Sequence, residues 1–133
     1  MNIGIDTGFF VELLAGTRMA VEVWTDLIEG KTQGHCSSLT LFEIERLGMK
    51  GVVNPKGVDA LLDAIPVVCR LAWIERKETL SLAARMSHGL GIPAVDSLIL
   101  AGFVQAGVER IYTTDKHMES YKAKGVKVVN LTS

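Results

Sequence analysis

The chain has 133 residues, of which 48% are hydrophobic and 22% are charged, and only three are proline. This composition excludes a disordered chain, and no apolar run approaches the length that spans a bilayer, so we expect a globular protein without membrane segments. The formal net charge of −1 excludes the strongly basic surface that is typical of dedicated nucleic-acid-binding domains.

The length, the first residues and the cysteines of the chain indicate how many domains it has and in which compartment it lies. A chain of this length suits one domain over residues 1–133. Its first residues contain no basic and apolar leader pattern, so we expect a cytoplasmic protein. Cys36 and Cys69 both lie within apolar stretches, and we expect them to be reduced residues of the core.

Strand-like and helix-like segments alternate in the first half of the chain. A short apolar run over residues 2–5 predicts a strand, and the apolar residues at 9–14 predict a helix that ends at Gly16. The elements predicted next are a helix over 19–29, a strand over 35–38 and a helix over 39–49.

The second half begins after a break at Asn54-Pro55 and continues the alternation. Its predicted elements are a helix over 58–64, a strand over 66–71, a helix over 75–89, a helix from Pro93 to Gly107, a strand over 110–113, a short helix after Asp115 and a strand over 126–129. Alternation without hairpin turns favours crossovers and a parallel sheet. The predicted fold is an α/β/α sandwich, three layers around a mainly parallel sheet.

Four acidic residues fall at the ends of predicted strands or in the first turns of predicted helices: Asp6, Glu43, Asp96 and Asp115. Ligands of open α/β sheets bind at the carboxyl ends of the strands, where these carboxylates would meet. Clustered carboxylates oppose each other's ionisation unless a cation lies among them. The set therefore points to Mg²⁺ or Mn²⁺ chemistry on a phosphate ester.

Each acid also has an ordinary structural role. Asp6 and Asp115 suit helix N-caps, Glu43 completes a capping box that starts at Thr40, and Asp96 suits the positive end of a helix dipole. For one acid alone, this structural role is the more common one. Capping does not require acids at four separate positions, because Ser, Thr or Asn would serve as well, so the set carries the metal hypothesis.

Four blocks resemble the signature blocks of the PIN domain in order and interval: Ile5-Asp6-Thr7, Leu39-Thr40-Leu41-Phe42-Glu43-Ile44, Pro93-Ala94-Val95-Asp96-Ser97-Leu98-Ile99-Leu100-Ala101 and Tyr112-Thr113-Thr114-Asp115. A PIN protein of this size is similar to the VapC toxins of VapBC toxin–antitoxin modules. The resemblance implies a Mg²⁺- or Mn²⁺-dependent endoribonuclease whose four acids are catalytic and bind metal. It also implies a homodimer and a VapB-type antitoxin as partner.

Further site residues are predicted from the same resemblance or from their position near the four acids in the sequence. Thr7 and Thr114 match polar positions that the family places beside its acids, where a hydroxyl orients a carboxylate. The positive residues expected nearest to the acids, and so to RNA, are Arg46, Lys50 and Lys116. His117 stands where many relatives carry Asp or Asn, and a solvated helix residue is its plainer interpretation.

Other functions remain open from the sequence. An RNA-processing or structure-specific nuclease of the same fold is one alternative, and a catalytically silent RNA-binding scaffold is another. A phosphoacceptor domain needs paired acids after the first strand, and a phosphatase of the Asp-x-Asp type needs a second acid where Gly8 stands. Both are therefore disfavoured.

Overall fold

A computed structural model describes residues 1–132 of the chain. Five strands form one sheet: β1 Asn2–Ile5, β2 Gln33–Ser37, β3 Cys69–Ala72, β4 Arg110–Thr113 and β5 Lys127–Asn130. Neighbouring strands are all parallel, and their order across the sheet is β3-β2-β1-β4-β5.

Six α-helices within residues 1–132 cover this sheet: α1 Thr7–Leu14, α2 Arg18–Ile28, α3 Ser38–Met49, α4 Pro55–Val68, α5 Lys77–Leu90 and α6 Ala94–Gln105. A short 3₁₀ helix, Lys116–Ser120, follows β4. The predicted α/β/α sandwich is therefore confirmed, and its sheet is entirely parallel.

The order of the strands places a switch point beside β1. The chain moves outward from β1 to β2 and β3, and then returns to the opposite side of β1 to form β4 and β5. At such a point the connections leave in opposite directions, so a crevice opens at the carboxyl ends of β1 and β4. Asp6 follows β1 directly, and Asp115 lies two residues beyond β4.

Two apolar clusters lie on the two faces of the sheet. One packs side chains of α1 to α4, including the fully buried Phe9 and Phe10, against β1 and β2. The other packs α5 and α6 against the opposite face, where a Cβ at Gly4 of β1 would lie 2.8 Å from the ring of Phe103. The close approach at Gly4 fixes α6, and with it Asp96, against the central strand.

The segment before β3 differs from the sequence prediction. Residues 66–68 belong to α4 rather than to a strand, and the strand is Cys69–Ala72. The buried stripe of Val58, Leu61 and Ile65 extends the helix through Pro66, whose missing N–H removes one helical hydrogen bond. Asn54 is the N-cap of this helix, so the break expected there is a helix start.

Two further expectations concern the cysteines and the membrane. Cys36 and Cys69 are buried and free, as expected. No helix within residues 1–132 combines the length and the apolar character that crossing a bilayer requires.

Candidate active site

Asp6 joins β1 to α1 and is 5% exposed. Its Oδ1 accepts the backbone N–H of Phe9 at 3.1 Å, which caps α1, and its Oδ2 accepts the hydroxyl of Thr113 at 2.5 Å. Burial raises the pKa of Asp6 to about 6, and the charges of Asp115 and Glu43 add to the rise despite these hydrogen bonds. Asp6 is therefore both a cap and a member of a group of interacting acids.

Glu43 lies in the second turn of α3 and contacts α1. Its Oε1 accepts the Thr7 hydroxyl at 2.5 Å, and that hydroxyl also lies 3.2 Å from the hydroxyl of Thr40. The capping box expected from Thr40 to Glu43 is wrong, because Ser37 caps α3 through the N–H of Leu39 and Thr40 lies inside the helix. Glu43 therefore does not cap a helix, and its hydrogen bond with Thr7 orients its carboxylate toward the side of α1 that faces the crevice.

Asp96 and Asp115 approach each other from α6 and from the end of β4. Their carboxylate oxygens and one ring nitrogen of His117 all lie within 4.8 Å of one another. Burial, a hydrogen bond with Asp115 and the nearby charges of the other three acids together raise the pKa of Asp96 to about 7. The charges of the other three predicted acids thus act on Asp96 at the carboxyl edge of the sheet.

Asp115 is the acid of this group that is held in its charged form. Partial burial disfavours its charge, but hydrogen bonds from the backbone and ring of His117 and from Asp96 keep its pKa below the usual value. His117 donates its backbone N–H to Oδ1 of Asp115 at 2.9 Å, and its Nδ1 lies at the same distance. His117 is exposed, yet it contacts the acids, which its interpretation as a solvated residue did not foresee.

Thr113 is the site residue that sequence reasoning missed. Its fully buried hydroxyl donates to Asp6 and accepts the backbone N–H of Asp115 at 2.9 Å, whereas Thr114 was the expected partner. Thr114 instead lies against α1, where a Cβ at Gly8 would overlap its hydroxyl. The available signal was strand alternation, since Ile111 and Thr113 share a face of β4 while Thr114 lies beyond it.

The predicted basic residues lie at different distances from the acids. Arg46 lines a cavity together with Thr7 and Glu43, and Lys116 is an exposed residue directly after Asp115. Lys50 is the C-cap of α3, about 10 Å of helix rise beyond Glu43, so the structure does not bring it beside the acids.

The side chains suit a hard divalent cation. Three of the four acids are aspartates, whose oxygens are preferred ligands of Mg²⁺ and Mn²⁺, and an imidazole nitrogen is also accepted by Mn²⁺. The raised pKa values of Asp6 and Asp96 mark charges that a cation would stabilise. Asp96, Asp115 and His117 meet within ligand distance, and Asp6 and Glu43 are near enough for their charges to act on Asp96.

The family model described as PIN domain matches residues 3–124. The chain therefore belongs to the PIN domain family, a family of nucleases that generally use divalent metal ions. A comparison with curated proteins finds no match.

Solved structures share the fold over almost the whole chain. A toxin–antitoxin complex from Klebsiella pneumoniae is 18% identical, with 97% of each chain covered and a TM-score of 0.73. VapBC2 from Rickettsia felis, bound to a DNA fragment from its promoter, is 14% identical with 98% of each chain covered and a TM-score of 0.73. FitAB bound to an IR36 DNA fragment is 25% identical, covering 97% of this chain and 94% of that one, with a TM-score of 0.66.

Proposed function

We propose that the chain is a Mg²⁺- or Mn²⁺-dependent endoribonuclease that hydrolyses RNA phosphodiester bonds and is the toxin of a toxin–antitoxin pair. The observation that carries the proposal is the approach of the Asp96 and Asp115 carboxylates within 4.8 Å at the carboxyl edge of the sheet, with Asp6 and Glu43 near enough for their charges to raise the pKa of Asp96. Membership of a nuclease family supports phosphodiester hydrolysis as the reaction.

The chain's own residues have separate roles in this reaction. A bound divalent ion supplies the positive charge that polarises the scissile phosphate and stabilises charge on the leaving oxygen. Asp96 and Asp115 would hold the ion directly, with Asp6 beside them. Thr113 keeps the Asp6 carboxylate in place through its hydrogen bond.

Glu43 is suited to the proton transfer. The hydrogen bond from Thr7 occupies Oε1 and fixes the side chain, which leaves Oε2 to accept a proton from the attacking water. The longer side chain of glutamate allows this reach from the second turn of α3. Thr7 is in this account a positioning residue.

The partner part of the proposal comes from the similar structures. The Klebsiella pneumoniae structure is named as a toxin–antitoxin complex, and the VapBC2 and FitAB structures are named as bound to DNA fragments. We propose a VapB-type antitoxin for this chain by likeness to them, and a homodimer from the resemblance of its sequence to VapC toxins. Co-purification with the product of a neighbouring gene for a short basic protein would support the pair, whereas a chain that is not toxic when produced alone would favour RNA processing.

The test is RNA digestion by the full chain with Mg²⁺ or Mn²⁺ and with EDTA. We expect cleavage with metal, none with EDTA, and none by Asp96→Asn, which keeps the shape of the side chain and removes its charge. The matched control is Asp63→Asn on the exposed side of α4, which should cleave at the wild-type rate. Cleavage by Asp96→Asn at the wild-type rate would contradict the site, and an inactive wild-type chain that still binds RNA would favour a silent scaffold.

A further inference from the structure

A small cavity adjoins the acids between α1, α3 and α6. It has a volume of about 200 Å³ and is lined by Thr7, Phe42, Glu43, Arg46, Leu47 and Val95. Its wall residues Phe42 and Val95 directly neighbour two of the acids in sequence, Glu43 and Asp96. Glu43 itself lines the cavity, so any group that enters it lies beside one of the four acids.

Three of the six lining residues of the cavity are apolar, Phe42, Leu47 and Val95, and two of these are exposed. Phe42 is 65% exposed and Val95 is 42% exposed, although both stand at the rim of an acidic crevice. Exposing a phenyl ring to water costs free energy that a core position would recover. An aromatic face that is open at the rim of a nuclease site is available for stacking on a base.

The lining of the cavity also includes a positively charged side chain. Arg46 lies one helical turn beyond Glu43 on α3, and its guanidinium makes no hydrogen bond or ion pair with any group of residues 1–132. A free guanidinium beside an aromatic face suits a phosphate next to a stacked base. The pairing of an apolar wall with a free cation is complementary to a nucleotide rather than to an apolar peptide.

We propose that this cavity binds a base of single-stranded RNA next to the scissile phosphate, with Phe42 stacking on the base and Arg46 contacting the adjoining phosphate. The inference rests on the proposed RNA cleavage and adds a subsite to it. The volume accommodates one ring system. A partner helix would instead need a longer groove with several apolar anchors.

The test measures RNA binding in the Asp96→Asn background, so that no cleavage intervenes. The probes are fluorescein-labelled oligoadenylate and an abasic ribose-phosphate oligomer of the same length. We expect Phe42→Ala to weaken oligoadenylate binding about fivefold or more and Phe42→Tyr to retain it. The abasic oligomer should bind equally to the parent and to both variants, because it offers no base to stack.

The matched control is Met49→Ala, an 80% exposed apolar residue at the far end of the same helix, which should not change either affinity. Arg46→Gln should reduce the slope of log affinity against log salt by about 0.7, the value for one phosphate contact of a single strand. Equal oligoadenylate affinity of Phe42→Ala and its parent would overturn the base site and leave a side chain of a protein partner as the occupant.

The failure of this subsite is distinguishable from the failure of the proposed function. If the wild-type chain cleaves RNA and Phe42→Ala binds and cleaves RNA equally well, the result contradicts the subsite alone. A chain that neither binds nor cleaves RNA with any metal contradicts both.

Discussion

The Thr113 hydroxyl donates a 2.5 Å hydrogen bond to Oδ2 of Asp6, although the two residues are 107 positions apart. The same oxygen of Thr113 accepts the backbone N–H of Asp115 at 2.9 Å, so one buried hydroxyl connects the acids of β1 and β4. Only the parallel pairing of these two strands brings the three residues together. Because of this connection, the pairing of β1 with β4 sets the distance between Asp6 and Asp115, and a loop does not.

Thr113→Val should test this connection. The substitution keeps the shape of the side chain but removes the hydrogen bond, so the pKa of Asp6 should rise and metal binding should weaken, with a loss of roughly 10- to 100-fold in activity. The measurement is the cleavage rate against metal concentration. Thr113→Ser keeps the hydroxyl and should retain most of the activity, and equal rates for the Val and Ser variants would contradict the role.

Gly8→Ala should destabilise the junction between α1 and β4. A Cβ at Gly8 would overlap the hydroxyl of Thr114, so either α1 or the segment after β4 must shift, at a cost of roughly 1–3 kcal/mol. The measurement is the free energy of unfolding in urea. The matched control is Gly89→Ala in α5, where a Cβ meets nothing within 4 Å and should stabilise the helix by about 0.5–1 kcal/mol.

The pH dependence of stability follows from Asp6 and Asp96. Their pKa values rise from 3.8 to about 6 and about 7 in the folded chain. Above pH 4 the unfolded chain has lost these protons while the folded chain still holds them, so the metal-free protein should lose stability as pH rises to about 7. Melting in EDTA between pH 4 and 8 tests this, and Asp96→Asn should flatten the decline. A wild-type melting temperature that rises steadily over this range would contradict it.

His117 should strengthen the acidic centre without being essential. Its ring nitrogen lies within 4.8 Å of oxygens of Asp96 and Asp115, so His117→Ala, which keeps the backbone hydrogen bond to Asp115, should remove one ligand and weaken Mn²⁺ binding by roughly tenfold. The measurement is a calorimetric titration of the full chain with Mn²⁺ near pH 7. His88→Ala on the exposed end of α5 is the control and should not change the affinity. An unchanged affinity in His117→Ala would remove His117 from the site.

Sequence reasoning was most successful where a physical pattern was local. The alternation of strand-like and helix-like runs predicted the sandwich, and the strand over 110–113 has the predicted bounds. The strand predicted over 66–71 is confirmed at 69–71 but wrong at 66–68, because β-branched Val67 and Val68 favour a strand locally while burial of the opposite helix face keeps them in α4. Local strand propensity carries no information about the burial of that helix face, which depends on residues distant in the sequence.

The site was predictable as a set of acids but not as a geometry. The four carboxylates could be chosen because they recur at the starts of helices, yet neither the strand order nor the neighbouring hydroxyls can be read from one sequence. Strand alternation distinguishes the adjacent Thr113 and Thr114, but the pairing of β4 with β1, which brings Thr113 to Asp6, is not visible in the sequence. The same limit applies to His117, whose contact depends on the 3₁₀ turn after β4.

The most direct test of the account is the anomalous density of Mn²⁺ in crystals of the full chain soaked with that ion. We predict a peak about 2.0–2.3 Å from carboxylate oxygens of Asp96 and Asp115, with Asp6 close by, and no such peak in Asp96→Asn crystals. Crystals at saturating Mn²⁺ with no peak among these carboxylates, or with a peak bound only elsewhere, would contradict a shared metal site.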